Sequence, residues 1–389
     1  MGRFLFVVPP LVGHVNPAAG VAAELTARGH EVAWAGHDEL LWRQAGPDAL
    51  VFSCALPAGA AERPPELKGP AALRFLWEDF LVPLADAMAP GVDAAIDAFG
   101  PHVVVADQQA LAGGLIAEAR GLPWVTSATT SAELADPLAG MPKVAEWVGE
   151  LLTGLRARIA GGRGSADPRF SPHGVLAFTT RELFGAAELP PRTRLVGPAL
   201  GSRPSTADFP WEWLDPLRPT VLVSLGTANT GAGTEFLTAT AEAFAGLAAR
   251  AVIVDPGGAL GEVPPNVLVR PRVPQLPLLA RVDAVLCHAG HNTVCETLWH
   301  GLPLVVAPIR DDQPIVASQV VEAGAGIRLR FGRADADRIA AAVTEVLTEP
   351  SYRRAAEGIA ASFHAAGGSA AAAGYLEQLA LESLAHLRP

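Results

Sequence analysis

The sequence predicts an α/β protein of two Rossmann-like, doubly wound parallel-sheet domains facing each other across a cleft. Three observations predict it. The chain has 389 residues, half of them apolar, enough for two cores at roughly 100–200 residues per domain. Short apolar, β-branched runs alternate with longer Ala/Leu-rich stretches of helical period, the pattern of βαβ units around a buried parallel sheet. The pattern then starts afresh after Gly197–Pro219, where five prolines sit among Gly, Ser and Thr and suit a connection better than an element interior.

In order along the chain, apolar runs predict strands at Phe4–Val8, Glu31–Ala35, His102–Ala106, Trp124–Thr126 and Val175–Phe178. Helical periodicity lies between them near Pro17–Arg28, Ala71–Ala89 and Ala110–Arg120, with Pro17 at the first turn, where proline is favoured. The second half repeats the alternation. Strands are expected at Thr220–Ser224, Ala251–Val254, Val267–Val269, Ala284–Cys287 and Leu304–Ala307, and helices near Thr234–Ala248, Asn292–Trp299, Pro314–Glu322, Asp335–Leu347 and Tyr352–Phe363. The domains are drawn as 1–200, a linker at 201–219, 220–365, and a C-terminal helix within 366–389 that returns to the first domain. Its Ala371–Ala373 run is a good helix former rather than a low-complexity tail.

Lys+Arg 29 against Asp+Glu 40 gives a net charge of −11. Nucleic acid and anionic membranes are therefore poor main partners, and any anionic ligand must be held by local devices. Cys54, Cys287 and Cys295 are too few and wrongly spaced for a disulfide framework or a zinc site, which fits a reducing cytoplasm. Phe4–Ala23 carries no charged side chain, but Pro9, Pro10, His14, Asn16 and Pro17 interrupt it, so neither a signal sequence nor a membrane span is expected.

Ligands of doubly wound sheets bind beyond the C-terminal strand ends, so residues just after strands carry the information. His14 follows the first strand, with Gly13 expected to turn the backbone beneath it. A solvated imidazole is partly neutral at physiological pH and can take a proton from a hydroxyl. Asp107, at the end of its own strand, is the candidate partner that sets the tautomer of His14. The alternative for Asp107 is a helix N-cap for the stretch beginning near Ala110, and the sequence leaves both open.

The second half is denser. Strand Ala284–Cys287 ends at His288, Gly290 is expected to make the turn, and Asn292-Thr293 open a helix whose N-terminus suits a phosphate. Asn292, Thr293 and His288 add side-chain donors. Glu296, one turn deeper on the same face, can accept from vicinal hydroxyls such as those of a ribose. Asp312 and Gln313 offer an acceptor and a mixed donor-acceptor for a sugar ring. N-capping, a surface charge and a solvated turn would explain each in isolation, but not all of them together at the strand ends of one domain. His288 and His291 lack a third ligand at metal spacing. Asp335-Ala336-Asp337 has a D-x-D form, but at a helix start it is expected to be structural.

This constellation resembles the family-one nucleotide-sugar glycosyltransferases, particularly the bacterial branch that decorates macrolides and other natural products. The resemblance spans nearly the whole chain: Gly-His-Val-Asn-Pro at 13–17, Glu24–Val32, Val223-Ser224-Leu225-Gly226-Thr227 and the donor motif at 288–296. It implies a GT-B fold, with the acceptor on the N-terminal domain and the nucleotide sugar on the C-terminal one. It also implies His14 as general base with Asp107 its partner. His288, Asn292 and Thr293 then hold the diphosphate near Gly226 and Thr227, Glu296 the ribose, Arg272, Val273 and Gln275 the base, and Asp312 with Gln313 the transferred sugar. Arg272 stands where plant members carry Trp, His291 replaces a common aromatic, and Val316 stands where Asn is frequent.

The expected reaction is inverting transfer from a TDP- or UDP-sugar to a small hydrophobic acceptor, with no metal or other cofactor, by a monomer or homodimer. Pro57–Ala89 and Thr129–Gly164, with Phe75, Trp77, Phe80, Met88, Met141 and Trp147, are the expected acceptor-lining stretches. The competing readings are a sugar-nucleotide epimerase of the same fold and a non-catalytic auxiliary protein. A dinucleotide oxidoreductase is disfavoured because no G-x-G-x-x-G follows a strand.

Overall fold

The structure, a computed structural model, describes residues 1–57, 67, 69–201, 208–226 and 233–386. It divides into two compact units. The first comprises Met1–Thr179, Ala187–Arg203 and Ala366–Pro389; the second comprises Thr180–Ala186 and Pro204–Ala365. Thr180–Ala186 thus lies in the second unit, inside the stretch 1–200 that the sequence places in the first domain.

The first unit is a seven-stranded sheet of β1 (Arg3–Val7), β2 (Glu31–Gly36), β3 (Leu50–Ser53), β4 (Val103–Asp107), β5 (Trp124–Ala128), β6 (Val175–Ala177) and β7 (Thr193–Leu195). Its order is β3-β2-β1-β4-β5-β6-β7, parallel throughout. Phe4, Leu5, Phe6 and Val7 are at most 1% exposed, as a central strand covered on both faces requires. The second unit holds β8 (Thr220–Ser224), β9 (Arg250–Val254), β10 (Val267–Arg270), β11 (Ala284–Cys287), β12 (Leu304–Val306) and β13 (Gly326–Arg328). Their order is β10-β9-β8-β11-β12-β13, again parallel.

β3, β7 and β13, which the sequence did not predict, are the short edge strands. Strand β3 holds a short apolar run, Leu50-Val51-Phe52, but the strand's ends are exposed and its middle is only partly buried, and at four residues it is too short to show a period. Phe209 is buried in the second unit's core, with Trp211, Trp213 and Leu214 packed on it. Those residues give the expected linker a packing role.

One helix boundary differs in a way that matters. The helix after β1 runs Val12–Ala27, with Pro17 inside it, so Gly13 and His14 stand on its first turn and not in a loop. The amides of His14 and Val15 both reach the Leu11 carbonyl, at 3.0 and 3.1 Å. This tightened turn tolerates a proline soon after it, near the helix end where few internal bonds are lost.

The final helix, Gly368–His386, is part of the first unit. Ala372, Ala373, Leu376 and Ala380 lie in one core cluster with Phe4, Phe6, Val21 and Leu25. Glu377 accepts from Arg28 Nη1 and His30 Nε2, both at 2.8 Å. Because His30 Nδ1 accepts from the Gly2 amide at 2.8 Å, its proton is on Nε2. Gly20 permits the close approach, since a Cβ there would lie 2.8 Å from the Ala199 carbonyl oxygen.

Candidate active site

Each sheet reverses its winding at one place: between β1 and β4 in the first unit, and between β8 and β11 in the second. These switch points are where doubly wound sheets bind ligands. The sequence-predicted residues gather at both.

In the first unit, β1 and β4 pair with Val7 opposite Ala106, which sets the helix turn bearing His14 beside Asp107. His14 Nδ1 lies 2.9 Å from Asp107 Oδ1 and 2.7 Å from Thr129 Oγ1. Thr129 Oγ1 also donates to Asp107 Oδ2 at 3.0 Å, and the Gln109 amide donates to Oδ1 at 2.8 Å. An ionised carboxylate only accepts, and the Thr129 proton is committed to Oδ2, so the ring proton belongs on Nδ1 and the basic lone pair on Nε2. Asp107 is fully buried, while the His14 side chain keeps 15% exposure. The N-cap of the following helix is Ala110, without a side-chain cap bond. Asp107 instead caps the turn at Gln109 while also orienting His14. The sequence names Thr129 only as the start of the expected acceptor-lining stretch Thr129–Gly164, and its contact with His14 and Asp107 escaped sequence reasoning. Its only signal is position: it follows β5, whose Ser127 pairs with Asp107.

In the second unit, β11 lies between β8 and β12, with Cys287 opposite Ser224 and Val306. The residue that turns the chain after β11 is Ala289, at φ 64°; Gly290, expected to do so, is the helix N-cap at φ −64°. Gly290 is needed for a different reason. A Cβ there would collide with His288 Nε2, and one at Gly226 would lie 2.6 Å from His288 Cε1, so the imidazole is held between two glycines. Gly226 itself has φ 75°.

His288 is 8% exposed. Burial pushes its pKa down to about 4, and the nearby Arg310 charge lowers it further against a hydrogen bond to the Ser224 backbone. The imidazole is therefore neutral at pH 7. The positive charge beside it belongs to Arg310, which the sequence analysis does not single out and which pairs with Asp311 at 3.8 Å.

The helix His291–Trp299 presents Asn292 and Thr293 on its first turn, both partly exposed. The alternatives of plain N-capping by these residues and of a surface Glu296 do not hold: no side chain caps this helix, and Glu296 is 1% exposed. Gln275 Nε2 donates to Glu296 Oε2 at 2.6 Å, joining two predicted residues. Arg272 is exposed and Val273 partly so. Gln313 Oε1 accepts from the Ile309 and Arg310 amides at 2.8 and 3.0 Å, so its acceptor pins the loop and only Nε2 is left to face a sugar. Asp312 precedes that helix, partly exposed. Val316 is fully buried in the core. Thr227 lies outside the described residues.

His291 points inward, its Nε2 3.5 Å from Cys295 Sγ, and Asp335 Oδ1 caps its helix by accepting from the Arg338 amide at 2.9 Å. Among the described residues no group of three or more His, Cys, Asp or Glu side chains is placed to hold a metal, and no helix is long and apolar enough to cross a membrane. Trp77 and Met88, expected to line the acceptor pocket, are core residues at 4% and 1% exposure. A cavity of about 510 Å³ lined by His173, Arg192, Arg194 and Tyr375 contains none of the site residues.

Comparison with known proteins agrees with the two-sheet fold. Residues 242–379 match the family described as erythromycin biosynthesis protein CIII-like, C-terminal domain. The chain is 30% identical to 4'-demethylrebeccamycin synthase of Lentzea aerocolonigenes, covering 90% of this chain and 93% of that protein. It is 29% identical to demethyllactenocin mycarosyltransferase of Streptomyces fradiae, covering 97% and 87%. The crystal structure of the glycotransferase of kitacinnamycin superposes with a TM-score of 0.76 at 28% identity, covering 97% and 98%. Two switch-point clusters on GT-B sheets, with relatives of this kind over nearly the full length, place the chain in a family: it belongs to the nucleotide-sugar glycosyltransferases of macrolide and other natural-product pathways.

Proposed function

We propose that this glycosyltransferase inverts the anomeric centre of a TDP- or UDP-sugar by direct displacement, with His14 as general base and a hydrophobic natural product as acceptor. The observation that carries the reading is the His14–Asp107–Thr129 triangle, which fixes the proton on Nδ1. Nε2 takes the acceptor hydroxyl proton as the oxygen attacks, and buried Asp107 stabilises the imidazolium that forms. The anomeric carbon's bond to the diphosphate breaks on the opposite face. A base of this kind supplies about 10²–10⁴-fold. The remainder comes from positioning and from charge stabilisation on the leaving diphosphate.

For the leaving group, the N-terminus of His291–Trp299, the Asn292 and Thr293 side chains, His288 as a neutral donor and the Arg310 charge take the part that a metal plays elsewhere. Gly226 and Gly290 let the backbone approach the diphosphate. Glu296, held by Gln275, takes the ribose, Arg272 and Val273 flank the base, and Asp312 with Gln313 Nε2 takes the sugar. No cofactor is required.

The test is His14→Ala assayed with a nucleotide sugar and an activated phenol. Turnover should fall more than about 100-fold while calorimetric affinity for the nucleoside diphosphate persists. Near-normal turnover would remove His14 as base, and a product with retained anomeric configuration would remove direct displacement.

A further inference from the structure

Beside the His14–Asp107–Thr129 triangle stands a carboxyl group that the reaction above does not use. Glu133 follows β5 in a short helical turn, Glu133–Ala135. Its Oε2 is buried and makes no hydrogen bond to protein, although the residue as a whole keeps partial exposure. Burial pushes its pKa up to about 7. Arg169 pulls it back, Asp107 and Asp167 push it further, and His14 again favours the charged form.

Arg169 does not settle the matter, because Asp167 already holds it through both guanidinium nitrogens Nε and Nη2. Its guanidinium lies 5.5 Å from the Trp77 ring centre and 5.4 Å from that of Phe170. Around Glu133 the charges are thus Asp107, Asp167 and, next to Arg169, Asp136, against Arg169 and, when it is protonated, His14. A second polar group of the first unit is equally unspent. Gln108, adjacent to Asp107, is 1% exposed, and both of its amide atoms are buried without a protein partner. A buried polar atom without a partner is costly unless a ligand completes it.

Resting on the reading of the first unit as the acceptor side, we propose that Glu133 is a specificity-determining residue whose carboxylate receives a cationic amine that the acceptor carries beside its reacting hydroxyl. A local excess of negative charge favours a cation over a second hydroxyl. The proton balance follows: a protonated Glu133 and an ammonium ion combine to give a carboxylate–ammonium pair and one proton released to solvent. A hydroxyl or ether at the same place releases none.

The experiment is calorimetry of the intact protein with 1-(dimethylaminomethyl)-2-naphthol, an ammonium near pH 6, against its neutral analogue 1-(methoxymethyl)-2-naphthol, each in two buffers of different ionisation enthalpy. The amine should bind at least about tenfold more tightly and release about one proton. Glu133→Gln should lose both effects, and Glu133→Asp should keep part of them. Equal affinities in the wild type, no binding of the amine, no proton release, or a preference that persists in Glu133→Gln would each overturn the proposal. The wild-type comparison decides even if a variant fails to fold. Glycosyl transfer is followed in the same samples: binding with the predicted proton release but no transfer counts against the His14 reaction and leaves Glu133 standing.

Discussion

Replacing Asp107 by Asn tests the logic of the triangle atom by atom. In the wild type the Thr129 hydroxyl gives its proton to Oδ2, so nothing competes with the ring proton at His14 Nδ1. In Asp107→Asn the oxygen must stay at the Oδ1 position, because the Gln109 amide requires an acceptor there. The new NH2 then faces Thr129, whose own proton is displaced toward Nδ1, 2.7 Å away. That contact favours the tautomer with the proton on Nε2, which cannot accept from an acceptor hydroxyl, and the imidazolium also loses its counter-charge. Turnover should fall about 10²–10⁴-fold, the whole of a general-base contribution. Removing the competitor as well should restore part of it. Asp107→Asn/Thr129→Val lets Nδ1–H donate to the Asn oxygen unopposed, a gain of one hydrogen bond at about 1 kcal/mol, or roughly fivefold in rate over Asp107→Asn. The assay is initial-rate release of nucleoside diphosphate at saturating donor, with donor affinity by calorimetry as the control for folding. A double variant no faster than Asp107→Asn refutes the tautomer argument even if both are slow.

Three further outcomes follow from the second unit. Gly226→Ala puts a Cβ 2.6 Å from the His288 ring at φ 75°. Denaturant unfolding should show a loss of about 1–3 kcal/mol, and calorimetry a weaker nucleotide affinity; unchanged values would mean the ring is not clamped. His288, at about 4 in the folded chain against an ordinary value of 6.5, binds its proton more readily once unfolded. Its stabilising effect is present above pH 6.5 and is lost as pH falls toward 4, in total about 3 kcal/mol at roughly 1.4 kcal/mol per pH unit. His288→Gln should flatten that part of the stability–pH curve, and an identical slope would show the histidine to be solvated. Activity should survive EDTA; a complete loss reversed by Mg²⁺ or Mn²⁺ would contradict leaving-group stabilisation by helix N-terminus and side chains.

What the sequence disclosed follows from what periodicity can carry. Central strands such as Phe4–Val7 are apolar on both faces and stand out, and the donor-side residues sit where strand and helix signals meet. Among the edge strands, β10 was legible as Val267–Val269, whereas β3, β7 and β13 are only three or four residues long and too short to show a period. At His14 the proline signal misled: Pro17 reads as a helix start, while the turn at Leu11–Val15 closes ahead of it. At His288 the residue type was legible but its charge was not, because the pKa depends on burial between two glycines and on Arg310, both long-range facts. Thr129 and Glu133 fell within the expected acceptor-lining stretch Thr129–Gly164, but their individual roles stayed silent for the same reason. Neither belongs to a recognisable spacing, and each gains its meaning only from β5 lying beside β4.

The helix Gly368–His386 has a consequence for how the protein is made. It fills a groove of the first unit, so that unit cannot complete its core until nearly the whole chain has left the ribosome. The second unit, almost continuous in sequence, is free to close earlier. The surface around Val21 and Leu25 therefore stays uncovered until that helix emerges, an interval of tens of seconds at about 5–20 residues per second, during which the most N-terminal residues of the chain wait for nearly its last.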